Sequence, residues 1–368
     1  MQMRVDKLRD TLKVLQPVIP KKTTLPVTKN ILLRDGKAVA TDLEATVILE
    51  LPEAKGECLV PYHQVSELLK YVPGDEQLTL ETKNGSLRLS WKNGQAAYDV
   101  AKAEEYPAIP EVKVKAEAEV DGGVLVKGLT DVVGFCATEE SRPVLTGVAL
   151  YLGENTAVAA GDGFRMGYQP LPLPFPSENT VIVPASAVYI LDYLWGKIPV
   201  TAQLAASLVQ QVLAKRKIGL TLGEGNMALR FGRATFITRL IDGNPPTFKD
   251  LIPTPRLKVQ VLAPELEQAV RRLEKIANEA SGIVRLKWTE KEMTLSAQSA
   301  EVGEVEATIP ANAEDGPGRI AVNVHYLVEY LRGKENLVTM GITSDSSPIL
   351  FKYGTSPIVV VMPMMVQW

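Results

Sequence analysis

Val60-Pro61-Tyr62-His63-Gln64-Val65-Ser66-Glu67-Leu68-Leu69 decides how this chain of 368 residues is read, because the phrase returns twice. It recurs as Val183-Pro184-Ala185-Ser186-Ala187-Val188-Tyr189-Ile190-Leu191 and as Val322-Asn323-Val324-His325-Tyr326-Leu327-Val328-Glu329-Tyr330-Leu331. Each copy is a run ending in Val, then Pro or Asn, then apolar residues three and four apart. Proline costs nothing in a first helical turn, whose N–H has no intrahelical partner, so the phrase marks a strand running into a helix. Spacings of roughly 120 to 140 residues imply three copies of one domain.

Other landmarks keep the rhythm. Ala40-Thr41-Asp42-Leu43-Glu44 returns as Ala160-Gly161-Asp162-Gly163-Phe164-Arg165, and Tyr106-Pro107-Ala108-Ile109-Pro110 returns as the proline-rich run from Pro245 to Pro253. A one-sided apolar stripe opens each copy: Val5, Leu8, Leu12 and Leu15; Val126, Leu129, Val133 and Cys136; Leu266, Ala269, Leu273 and Ile276. That spacing predicts a helix buried on one side. Alternating runs such as Leu78-Thr79-Leu80-Glu81-Thr82 and Glu292-Met293-Thr294-Leu295-Ser296 predict half-buried strands. The expected fold class is α+β, each copy being two helices on one face of an antiparallel sheet, with domains at 1–118, 119–254 and 255–368. Leu204, Leu208 and Val212 predict an extra amphipathic helix near 201–217 in the central copy.

Composition bounds the function. With 46% hydrophobic and 23% charged residues the chain belongs to the globular class. The first residues are charged and amphipathic, so no signal peptide is expected, and no apolar run approaches the ~20 residues of a membrane helix. Cys58 and Cys136, in different copies and among apolar neighbours, suit buried thiols in a reducing, cytoplasmic setting. The formal net charge of −3 argues against a generally basic nucleic-acid binder, yet positive charge can be confined to one surface. Lys7, Arg9 and Lys13 ride on the first predicted helix, and Arg271, Arg272 and Lys275 lie opposite the apolar stripe of its third-copy counterpart. Solvated helix faces are the plain alternative.

Catalytic signals are nearly absent. His63 and His325 are the only histidines, there is no Cys-x-x-Cys, and the glycines around Asp162 lack the Gly-Lys-Ser/Thr ending of a phosphate loop. No cofactor and no metal are expected, and Asp42 and Asp162 are read as turn residues bonding local N–H groups.

At this point a family resemblance carries further. Leu25-Pro26-Val27-Thr28-Lys29-Asn30-Ile31, Ala40-Thr41-Asp42-Leu43-Glu44, Arg142-Pro143-Val144-Leu145-Thr146-Gly147, Ala160-Gly161-Asp162-Gly163-Phe164-Arg165-Met166, Leu240-Ile241-Asp242-Gly243 and Val359-Val360-Val361-Met362-Pro363-Met364 stand in order along the chain. With the threefold repeat, they make it resemble the bacterial DNA polymerase III beta subunits, the sliding clamps. The resemblance implies a non-catalytic processivity factor: three tandem DNA-clamp domains in a head-to-tail, ring-forming homodimer that encircles double-stranded DNA without reading its sequence. Implied partners are the DNA polymerase III catalytic subunit, the clamp loader and other proteins with clamp-binding motifs; no membrane is implied.

Carried over residue by residue, the family's partner-peptide pocket would be lined by Leu145, Gly161, Gly163, Phe164, Arg165, Met166, Pro246, Leu251, Asn323, Tyr326, Ser347, Val360, Val361, Met362, Pro363 and Met364. Lys21, Lys22 and Arg142 would join the DNA-contacting residues. Tyr106, Leu273 and Ile276 are the apolar residues expected where the first domain of one subunit meets the third of the next. Departures from the family pattern are Phe164 where His is frequent, Asp250 where a basic residue is usual, Ser281 where an aromatic can occur, and the tail Met365-Val366-Gln367-Trp368. Two other readings stay open on the residues alone: a repeat-built peptide adaptor that does not encircle DNA, and a metal-dependent nucleotide-processing enzyme using Asp42 and Asp162.

Overall fold

A computed structural model describes residues 1–83, 85–198 and 216–368. The predicted helix near 201–217 therefore lies almost wholly outside the described residues; Lys217 itself begins the strand Lys217–Leu222. Among the described residues six α-helices form three pairs: Val5–Leu15 with Tyr62–Leu69, Gly122–Val133 with Ala185–Lys197, and Ala263–Glu279 with Val324–Leu331. The repeated phrase is the entry to the second helix each time. Pro61 and Pro184 stand one residue outside the helix, at the N-cap, where a missing N–H costs no helical bond. Asn323 takes that place in the third copy and caps actively, its side chain accepting from His325 N at 2.9 Å.

The apolar stripes are buried as their spacing predicts. Val5, Leu8, Leu12 and Leu15 lie in the interior, as do Leu266, Ala269 and Leu273, with Ile276 half-buried against them. Cys136 departs from its predicted helix, which ends at Val133; the thiol sits in the following turn, half-buried. Gly122 opens its helix because a Cβ there would collide with Trp195 on the partner helix.

The sheets depart from one sheet per copy. Glu57–Pro61, Asn30–Arg34, Lys37–Thr41, Ala45–Glu50, Ala234–Arg239, Asn226–Phe231, Lys217–Leu222 and Ala116–Asp121 form one eight-stranded sheet in that order. First-copy and second-copy strands are joined in it at Ala45–Glu50 and Ala234–Arg239, in the register Ala45↔Thr238. A second junction pairs Arg165–Pro170 with Ile358–Val361, Arg165 opposite Val361. Four-stranded sheets complete the first and third copies, built from Gln2–Arg4 with the strands of 77–99, and from the strands of 283–323.

Packing consequently divides the chain into two compact units. One comprises Met1–Thr130, Tyr151–Thr156 and Pro172–Asp242; the other comprises Asp131–Leu150, Ala157–Leu171 and Gly243–Trp368. The expected boundary at 118 falls inside the strand Ala116–Asp121, whereas that at 254 falls in the loop before Leu257–Leu262. No helix among the described residues is long and apolar enough to cross a membrane.

Candidate functional site

In the second unit a groove of about 330 Å³ is built on the hairpin of Ala157–Gly161 and Arg165–Pro170. Asp162 shapes the turn: its Oδ1 accepts from Phe164 N at 2.8 Å and from Arg165 N at 2.9 Å. Gly163 adopts φ +96°, and a Cβ there would press on the Arg142 guanidinium. The turn thrusts Phe164 outward, 59% exposed. Phe164 O then accepts from Met362 N at 2.8 Å, so the terminal strand forms one wall.

The 3-10 turn Phe248–Leu251 and Pro246 form the other wall. Leu145, Met166, Phe248 and Val360 are the buried floor, while Phe164, Leu251 and Met362 stand exposed around the mouth. Three large apolar side chains in water around an apolar cleft are what a docking site for a partner's side chains requires.

Ten of the sixteen expected pocket residues are thus brought together: Leu145, Gly161, Gly163, Phe164, Arg165, Met166, Pro246, Leu251, Val360 and Met362. Six are not in that lining. Tyr326 and Val361 line a neighbouring cavity of about 280 Å³, to which Arg165 also contributes. Asn323 is spent on its helix cap, and Ser347 bonds Ser344 through hydroxyls 2.6 Å apart. Pro363 and Met364 follow the groove strand, Met364 N donating to Ala321 O at 2.8 Å.

Strand alternation explains Val361: Val360 and Met362 face the groove while Val359 and Val361 enter the core cluster. Sequence reading missed Phe248 and Pro348 in the lining and assigned Arg142 to DNA, although it too lines this groove. The proline-rich run around Phe248 was the available signal.

Arg165 is held rather than free. Its guanidinium lies 4.8 Å from the Tyr326 ring centroid and 5.5 Å from that of Phe135, its Nε is 3.3 Å from Asp162 Oδ2, and it pairs with Glu329. Asp42, the counterpart of Asp162 in the first unit, accepts from Glu44 N and Ala45 N at 3.0 and 2.7 Å; burial raises its carboxyl above the usual carboxylate range. Both acids serve their turns, as a turn residue does. No group of three His, Cys, Asp or Glu able to hold a metal occurs among the described residues.

The basic residues divide. Lys7 lies 3.7 Å from Glu53, and Arg271 pairs with Glu267 and Glu274. Arg9 donates to Leu69 O and Val72 O, closing the end of the neighbouring helix, so its guanidinium is committed to those carbonyls. Arg272 bonds Gln268 at 3.0 Å and Arg142 bonds Asp162 O at 3.3 Å, both without a carboxylate partner among the described residues. Lys13, Lys21, Lys22 and Lys275 are exposed, with no ion pair among the described residues. The six described helices carry eight Lys and Arg against ten Asp and Glu, so they are not a uniformly basic surface. Of the residues expected at a subunit contact, Tyr106 and Leu273 are in the core at 7% and 0% exposure, and Ile276 is half-buried against the third-copy core.

The model described as "DNA polymerase III beta subunit, central domain" matches residues 120–247, and that of the "C-terminal domain" matches 249–365. The beta sliding clamp of Synechococcus elongatus is 24% identical over 364 residues, covering 94% of this chain and 93% of that protein. That of Staphylococcus epidermidis is 24% identical over 354 residues, covering 90% and 88%. Among solved structures, the DNA polymerase III subunit beta of Pseudomonas aeruginosa aligns at TM-score 0.86 and 22% identity, covering 100% of this chain and 99% of that one. The beta subunit of Thermotoga maritima aligns at 0.85 and 22%, with the same coverage. The structural likenesses carry the fold; the two adjoining domain matches, over a chain whose repeats and turns follow the same order, make this chain a member of the DNA polymerase III beta subunit family, the sliding clamps.

Proposed function

We propose that the chain is a DNA sliding clamp, a non-catalytic processivity factor that encircles duplex DNA and tethers replication proteins through the groove around Phe164. The observation that carries the tethering is the groove itself, with Phe164, Leu251 and Met362 exposed over a buried apolar floor. Each partner side chain fully buried there would contribute about 1.5–3 kcal/mol, enough to anchor a short peptide while leaving room for exchange. The finer reading is three tandem clamp domains near 1–118, 119–254 and 255–368, a cytoplasmic homodimer closing head to tail, and the polymerase catalytic subunit and clamp loader among the peptides' owners. The repeated helix pairs support it, and a heterologous contact that closes at two subunits leaves no open filament end.

Retention on nicked circular DNA, loaded with clamp loader and ATP, tests the encircling. Release when the circle is cut is the expected result; equal retention on circle and line would leave only a peptide adaptor that touches DNA.

A further inference from the structure

We infer that the first unit carries a second peptide-docking groove, which takes an extended segment with a Lys or Arg beside an aliphatic residue. The inference rests on the peptide-docking reading of the groove around Phe164, because the two are built alike. Asp42 N donates to Ala45 O at 3.2 Å as Asp162 N donates to Arg165 O at 3.1 Å, and Arg239 N donates to Glu44 O at 2.9 Å as Met362 N does to Phe164 O. The strand registers Ala45↔Thr238 and Arg165↔Val361 complete the match. Glu44 thus stands for Phe164, Arg239 for Met362 and Ile237 for Val360, while Ala108 and Pro110, from the proline-rich run that ends the first copy, contribute to the lining as Pro246 and Leu251 do in the other groove. A groove of about 870 Å³ results, wholly within the first unit.

Its chemistry differs in a way that selects a partner. Leu43 occupies the position of Gly163 at φ +81°, a conformation that L side chains adopt only at a cost, and the residue stands 44% exposed at the groove. Backbone strain kept at an exposed apolar residue, where no packing offsets it, points to a contact surface rather than a folding device. Around it stand the carboxylates of Glu44, Glu224 and Asp242. Glu44 shares Arg239 at 3.5 Å and Glu224 shares Lys115 at 3.8 Å, all four largely exposed, whereas Asp242 has no ion pair among the described residues. Three carboxylates, one of them without an ion pair among the described residues, in one groove with the exposed Leu43 call for a cationic donor next to an aliphatic side chain.

The test uses the full-length protein in 0.15 M salt and fluorescence anisotropy of two labelled ten-residue peptides. One alternates leucine with lysine and arginine; the other contains leucine, phenylalanine and glutamine without charge. The basic probe is expected to saturate one site per chain and to lose affinity about tenfold or more in Leu43→Gly and in Asp242→Lys, with Phe164→Ala without effect. Leu43→Gly removes the side chain and relieves its backbone strain, so folding is kept. No saturable binding of the basic probe up to ~1 mM, insensitivity to both first-unit variants, or loss in Phe164→Ala would each overturn the inference. The uncharged probe reports the other groove: if it fails while the basic probe behaves as expected, the Phe164 reading fails and this one stands.

Discussion

Arg9 and Lys13 look alike in the sequence, two cations on one helix, and only the fold separates them. Arg9 reaches the last carbonyls of the helix Tyr62–Leu69 and the turn beyond, at 3.1 Å to Leu69 O and 2.7 Å to Val72 O. Arg9→Gln should therefore lower stability by about 1–3 kcal/mol, seen as an earlier urea midpoint, because buried acceptors lose a charged donor. An unchanged midpoint would return Arg9 to the DNA-facing set. Two buried thiols are expected from the sequence; Cys58 is buried and Cys136 half-buried, neither in a disulfide, and their surroundings say how they react. Burial pushes both Cys58 and Cys136 thiols up to about 12. Folded values above the unfolded ~8.5 mean that the thiols favour the fold at and below neutral pH and cease to as pH climbs toward 12. Since only the thiolate attacks, a chromogenic disulfide at pH 8 should label the native protein far more slowly than the urea-unfolded chain. Equal rates would show that neither thiol is buried.

Helices were legible because their apolar stripes need only local spacing; sheets were legible as strands but not as pairings. Nothing local in Ala45–Glu50 names Ala234–Arg239 as its neighbour, nearly two hundred residues away, so the joining of copies had to come from the fold. The groove followed the same division. Turn residues Gly161, Gly163 and Phe164 could be matched position by position, whereas Phe248 and Pro348 depend on how distant segments pack. Leu273 is the sharpest case. Its stripe position on Ala263–Glu279 is equally consistent with an inner core and an outer contact, and the structure buries it completely. Leu273→Ala should cost about 2–5 kcal/mol of unfolding free energy, measured by denaturant titration, through lost contacts and the cavity left behind. A wild-type unfolding midpoint combined with weakened self-association would put it at the subunit contact instead.

At the scale of the whole molecule, charge decides how the protein can hold DNA. Of nine cations expected to face the duplex, Lys7 and Arg271 are paired with carboxylates and Arg9 is consumed by carbonyls, leaving six. If every one of the six met a phosphate, the logarithm of affinity would fall with the logarithm of salt with a slope near −0.9 per contact, about −5 in all. The ten acidic residues on the six described helices, two of which carry Lys13, Arg272 and Lys275, work against even that. Binding to linear duplex, followed by anisotropy across a salt series, is therefore expected to be weak and its slope shallower than about −5 per chain. A steeper slope would mean that cations outside this set carry the contact. Loaded circles should behave otherwise, because linkage does not depend on counterion release: retention should persist at ~0.5 M salt, where the Debye length is only a few ångströms and linear duplex has been shed. Parallel loss from circles and linear duplex over one salt range would mean that electrostatics alone holds the DNA, and the encircling reading would fail.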